Sequence, residues 1–133
     1  ICRSPLAEAL LARELPSHQV FSAGLTAMVG QGADPMSVQV AQEAGLDIRG
    51  HRAQQVSTFL CQRADLVLVM DLGQKSRLEQ MIPSARGKVF RLGHHGRFDI
   101  EDPYMQPLDA FRAAYRAIEE GVSQWAPRIR QLG

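Results

Sequence analysis

Residues 65–70 read Asp65-Leu66-Val67-Leu68-Val69-Met70, an unbroken apolar run behind a single carboxylate. Such a run suits a strand buried on both faces, which points to a parallel sheet. Parallel strands cannot be joined by a tight turn and need crossover connections, usually helical. The rest of the sequence supplies them.

Ser4-Pro5 opens a helix with Ser4 as its cap, Pro5 at its first helical position and Leu6, Ala7, Ala9, Leu10 and Leu11 as its apolar residues, ending near Pro16. A short strand is expected over 19–23, then a loop of Gly and small residues over 24–32. Asp34-Pro35 caps a second helix that Gly45 ends, and residues 57–63 form a third. After the strand at 65–70 come a helix over 71–82, a strand over 88–92 and a long irregular segment over 93–107, a kind of loop that tends to carry function. Residues 108–132 close the chain as one amphipathic helix with Phe111, Tyr115, Ile118, Val122 and Trp125 on its apolar stripe. Strands alternating with helices predict an α/β fold, a small doubly wound three-layer sandwich around a parallel sheet, with ligands at the carboxyl ends of the strands. The helix at Ser4 has no strand feeding it, so a further strand is expected just before Ile1.

Length and composition limit the alternatives. At 133 residues, 45% hydrophobic and 22% charged, the chain reads as one domain over 1–133 that can bury a core without disulfide or metal staples. A net charge of +1 gives no field to draw it onto nucleic acid or an acidic membrane, so any bound anion must be held locally. The longest apolar stretch is far short of the roughly 20 residues a membrane span needs, so no membrane insertion is expected. Cys2 and Cys61 are too few for a disulfide framework and lack zinc-ligand spacing, which fits a cytoplasmic protein without metal or cofactor. His94-His95 reads as a solvated loop pair and Cys61 as a buried thiol.

Two features carry chemistry. Ile1-Cys2-Arg3-Ser4 leads into a helix N-terminus, where free amides, the helix dipole and the Arg3 fork together make an oxyanion site. In isolation, Arg3 and the helix N-terminus would depress the Cys2 thiol pKa. Asp102-Pro103-Tyr104 sits in the long loop, with Pro103 holding the carboxylate before it in an extended conformation. An oxyanion cradle and a loop-borne carboxylic acid are two of the three parts needed to displace a phosphate ester; a nucleophile is the third.

Ile1-Cys2-Arg3-Ser4-Pro5-Leu6-Ala7-Glu8-Ala9 resembles the second half of the signature loop of low-molecular-weight protein tyrosine phosphatases, Cys-x-Gly-Asn-x-Cys-Arg-Ser-Pro. The resemblance continues in order through Phe21-Ser22-Ala23-Gly24, Ala33-Asp34-Pro35, Gly50-His51-Arg52-Ala53, Leu68-Val69-Met70-Asp71 and Glu101-Asp102-Pro103-Tyr104. Ala27-Met28-Val29-Gly30 and Gly87-Lys88-Val89 look most like the bacterial branch that accompanies capsule and exopolysaccharide export.

The resemblance implies a four-stranded sheet and hydrolysis of phosphotyrosine through a cysteinyl-phosphate intermediate. Arg3 and Asp102 would be catalytic: Arg3 gripping the phosphate, Asp102 protonating the tyrosyl oxygen and later activating water. Ile1, Cys2, Arg3 and Ser4 would form the phosphate-binding loop, Ser22 and His51 would brace it, and Met28, Val29 and Tyr104 would wall the substrate slot. The family's nucleophile stands six positions before the arginine, four before Ile1, and so lies upstream of this sequence; Cys2 matches the second cysteine, which shields the nucleophile through a reversible disulfide. The implied partner is a phosphotyrosine protein, a bacterial tyrosine autokinase of polysaccharide export, met by a monomeric phosphatase. Two other readings are arsenate reductase of the same fold, for which a further cysteine pair is lacking, and a non-catalytic domain that binds phosphotyrosine or a partner.

Overall fold

The apolar run forms its strand and pairs as a parallel ladder. In the computed structural model, which describes residues 2–132, the chain runs α1 (Ser4–Glu14), α2 (Pro35–Glu43), α3 (Thr58–Arg63), β1 (Val67–Val69), α4 (Leu72–Met81), β2 (Val89–Arg91) and α5 (Leu108–Gln131). Val67 faces Val89 and Val69 faces Arg91 across the ladder, and α4 with a short 3-10 turn at Pro83–Ala85 makes the crossover.

Alternation along the two strands divides the interior. Leu66, Leu68, Met70, Phe90 and Leu92 pack into one apolar cluster with Leu6 and Leu10 of α1, Val40 of α2 and Phe111, Ile118 and Trp125 of α5. Val67, Val69 and Val89 point the other way, onto Cys61 of α3 and Leu78 of α4, with Ile82 and Ala85 beyond. All five apolar residues that the period of the last helix singles out are buried. Helix α5 can approach the end of β2 because position 121 is glycine: a Cβ there would come within 2.8 Å of the Leu92 carbonyl oxygen.

Most helix starts follow their capping signals. Asp34 accepts from the Met36 amide, Ser57 from the Leu60 amide and Asp71 from the Gln74 amide, each satisfying a first-turn donor. Ser4 departs from this pattern. Arg3 already has helical dihedrals (φ −88, ψ −48), which puts Ser4 inside α1 rather than at the extended position from which a side chain folds back, and no side-chain cap forms.

The expected strand over 19–23 does not form. A strand needs a ladder partner for its backbone groups, and this segment meets one only at its end, where Gly24 bridges Gln55. Between its Val20 and Phe21 and the residues Leu66, Val67 and Leu68 runs a cavity of about 920 Å³. The same cavity explains why β1 is not buried on both faces as its composition predicts: Val67 and Leu68 are only half-buried, and Val69 alone is buried. Among the described residues the sheet therefore has two strands.

Candidate active site

The mouth of that cavity is built where α1 starts and β1 ends. With no side-chain cap on α1, its first-turn amides keep no partner inside the helix and, with the positive end of the dipole, suit an anion. Arg3 lies at this point with its side chain 11% exposed. Its Nη1 donates to the Ile100 carbonyl (2.6 Å) and to Asp71 Oδ2 (3.1 Å), so that Nε and Nη2 are the donors left for a ligand. Asp71 reaches Arg3 with one oxygen because its other oxygen caps α4, accepting from Gln74 N at 2.7 Å.

Ile100 ties Arg3 to the second feature. Its amide donates to the Met70 carbonyl at the end of β1 (2.8 Å), its side chain is fully buried, and its carbonyl receives Arg3. The long loop is thus seated on the carboxyl end of the sheet two residues before Asp102. Pro103 is buried, while Asp102 and Tyr104 are exposed and Asp102 Oδ1 accepts from the Tyr104 amide at 3.1 Å. Arg3, Ser4, Asp102, Tyr104 and Met28 all line the one cavity. Val29 does not line it: it is 68% exposed and lies outside the wall that the sequence predicts it to join. Ile1, expected in the phosphate loop, lies outside the described residues.

Ser22 and His51 converge on a residue that sequence reasoning passed over. Ser22 Oγ donates to Glu8 Oε1 at 2.8 Å, and His51 Nδ1 stands 3.7 Å from Glu8 Oε2. Glu8 is four residues after Ser4 and so on the same face of α1, beneath the loop that Arg3 belongs to. That spacing was the available signal. Asp71 was legible too, as a capping residue at the carboxyl end of a parallel strand, where such folds bind ligands.

In the fold, Cys2 is not the depressed thiol that Arg3 and the helix N-terminus would give in isolation. It is buried, 4% exposed, with Sγ 3.9 Å from Asp34 Oδ2. Burial and then the Asp34 carboxylate push its pKa up to about 11, and Arg3 offsets this only in part. Asp102 also acts on this thiol, which places its charge near the start of α1. Cys61 is buried as expected, its pKa raised by desolvation. Both thiols are therefore protonated at neutral pH. His94 is exposed as expected, whereas His95 is half-buried: its ring packs 4.6 Å from that of Trp125, and desolvation lowers its pKa. Among the described residues no group of three or more His, Cys, Asp or Glu side chains could hold a metal ion.

A largely covered arginine beside free helix amides, with a carboxylic acid on a loop fixed to the same strand end, can bind a phosphoryl group and protonate what leaves it. Comparison with known proteins agrees. Residues 1–132 match the family model described as low molecular weight phosphotyrosine protein phosphatase. The chain is 51% identical over 133 residues to a probable low molecular weight protein-tyrosine-phosphatase EpsP from Ralstonia nicotianae, covering 100% of this chain and 92% of that protein. It is 46% identical over 130 residues to the low molecular weight protein-tyrosine-phosphatase Wzb of Escherichia coli K12, covering 97% and 88%. The structure of Vibrio vulnificus Wzb in complex with benzylphosphonate superimposes with a TM-score of 0.93 at 42% identity, covering 96% of this chain and 91% of that one.

Proposed function

Because this chain belongs to the low molecular weight phosphotyrosine protein phosphatases, we propose that Arg3 and Asp102 carry the phosphate-binding and acid-base work of its phosphotyrosine hydrolysis. The observation that carries the assignment is their common seat. Both line one cavity, and the Ile100 carbonyl that receives Arg3 belongs to the loop that presents Asp102.

In this mechanism the first-turn amides of α1 and the Nε and Nη2 groups of Arg3 hold the three equatorial oxygens of the phosphoryl group as charge spreads over them. Asp102, exposed at the mouth, protonates the departing tyrosyl oxygen, and its carboxylate then takes a proton from the water that attacks the phosphoenzyme. The attacking atom is a thiolate supplied from upstream of Ile1. Cys2 does not serve, since a thiol with its pKa pushed up to about 11 is protonated near neutral pH; it fits the role of a reserve thiol that pairs with the nucleophile under oxidation. Ser4 donates to the nucleophile, while Ser22 and His51 steady the loop through Glu8. Met28 and Tyr104, 56% and 52% exposed, offer apolar walls to the substrate ring.

The trough deeper in the cavity favours a four-stranded, three-layer version of the fold. It runs between β1 and residues 19–23, and a further parallel strand seated there would give both their missing neighbour. We take residues 1–133 as one such domain. No helix among the described residues is long and apolar enough to cross a membrane. We propose a monomeric cytoplasmic enzyme acting on a tyrosine-phosphorylated protein. Its likeness to EpsP and Wzb favours an autophosphorylating kinase of polysaccharide export as that substrate.

The test is turnover of a phosphotyrosyl peptide by the full-length protein. We expect Arg3→Ala and Asp102→Asn each to lower kcat/KM by about a hundredfold or more. Unchanged turnover in either variant would refute the assigned role.

A further inference from the structure

Arg77 stands on α4, six residues after Asp71, about 9 Å further along the helix axis. It lines the same cavity as Arg3, and its Nη2 donates to the hydroxyl of Thr26. Thr26 opens the stretch that carries Met28, so this bond reaches from α4 to one wall of the substrate slot.

The opposite side of that stretch is held differently. The Gln55 side chain clamps it twice, donating from Nε2 to the Leu25 carbonyl (2.8 Å) and accepting at Oε1 from the Ala27 amide (2.9 Å). The Gly30 amide donates to the Ala53 carbonyl at 2.8 Å. These contacts fix the wall to residues 53–55, which hold neither Arg3 nor Asp102. Helix α4 does hold Arg3, through Asp71 at its N-terminus. It is therefore a strut with the phosphate grip at one end and the wall at the other.

We infer that Arg77 is a positioning residue, whose bond to Thr26 sets the distance between the Met28 wall and Arg3 and so tunes affinity for the aryl ring of the substrate without altering the phosphate grip. The inference rests on the phosphatase reading of the site and adds to it a determinant of substrate fit. Thr26 is exposed, so without Arg77 the stretch keeps its bonds to residues 53–55 and loses this tie to the helix that holds Arg3.

The experiment uses the full-length protein and two competitive probes, inorganic phosphate, which reports the grip alone, and benzylphosphonate, which reports grip and wall together. In Arg77→Ala we expect the benzylphosphonate inhibition constant and the KM for a phosphotyrosyl peptide to rise about three- to tenfold, with the phosphate constant and kcat within about twofold of wild type. Arg77→Lys should recover part of the loss. Thr26→Val should match Arg77→Ala, and the double variant should be no worse than either, because both remove one bond. Equal weakening of both probes, losses that add in the double variant, or no change would overturn the inference. A wild-type protein that binds neither probe and leaves the peptide intact would overturn the phosphatase reading beneath it.

Discussion

Raising the pH should cost this protein stability through one side chain, Cys2. Burial and the Asp34 carboxylate lift its pKa from an ordinary 9.0 to about 11 in the folded state. Between those values the unfolded chain has released the thiol proton and the folded chain still binds it. Stability from this source is thus fully present below pH 9 and is lost as pH rises toward 11. A difference of about two pKa units corresponds to about 3 kcal/mol, a large part of the roughly 5 to 15 kcal/mol that holds a domain folded. The assay is urea denaturation at pH 8 and at pH 10.5 for wild type and Cys2→Ala. The variant starts less stable because it leaves a small cavity, but other titrating groups are common to both proteins and cancel in the difference. We expect the advantage of wild type to shrink by about 2 kcal/mol over this range. Asp34→Asn keeps the α2 cap, since asparagine serves as well there, and should narrow the pH window without abolishing it, because burial is the larger cause. Parallel pH dependence in wild type and Cys2→Ala would refute the reasoning. So would rapid alkylation of Cys2 by iodoacetamide near pH 7 in the folded protein.

Two further variants probe the frame of the site. Glu8→Gln keeps an acceptor for Ser22 but removes the charge facing His51; we expect kcat to fall about tenfold with KM little changed, measured by steady-state hydrolysis of p-nitrophenyl phosphate, and a rise in KM alone would contradict the bracing role. Gly93→Ala would place a Cβ 2.1 Å from the Phe98 carbonyl oxygen, so the turn that launches the Asp102 loop must move. We expect a stability loss of about 3 kcal/mol or more by chemical denaturation, together with lower activity in the protein that remains folded.

Most of the fold was legible because its signals are local. The run at 66–70, the capping residues Asp34, Ser57 and Asp71, and the stripe from Phe111 to Trp125 each act within one or two turns of chain, and each element formed where its residues indicate. Most of what failed depends on partners far away in sequence. Residues 19–23 have the composition of a strand, but a strand is made by its neighbour, and beside them lies a cavity. Ser4 looked like a cap because the residue type is right, yet the cap is decided by the backbone of Arg3, which is already helical. Arg3 adjoins Cys2 in sequence and taken alone would depress its thiol, whereas the burial and the Asp34 carboxylate that outweigh Arg3 come from the tertiary fold. At the site itself, Arg3 and Asp102 stood out through their motifs. Glu8 and Arg77 did not, since each is an ordinary helix residue until folding brings it to Ser22 or Thr26, and Asp71 was legible as a cap but not as the partner of Arg3.

The central claim is that Asp102 hands a proton to the leaving oxygen while Arg3 holds the phosphoryl group. The most direct measurement is the leaving-group dependence of kcat/KM in the full-length protein, comparing phenyl phosphate with p-nitrophenyl phosphate for wild type and Asp102→Asn. A general acid matters most where the leaving oxygen is basic, so we expect Asp102→Asn to penalise phenyl phosphate at least about tenfold more than p-nitrophenyl phosphate. An equal penalty on the two esters would contradict the role of Asp102 as the proton donor.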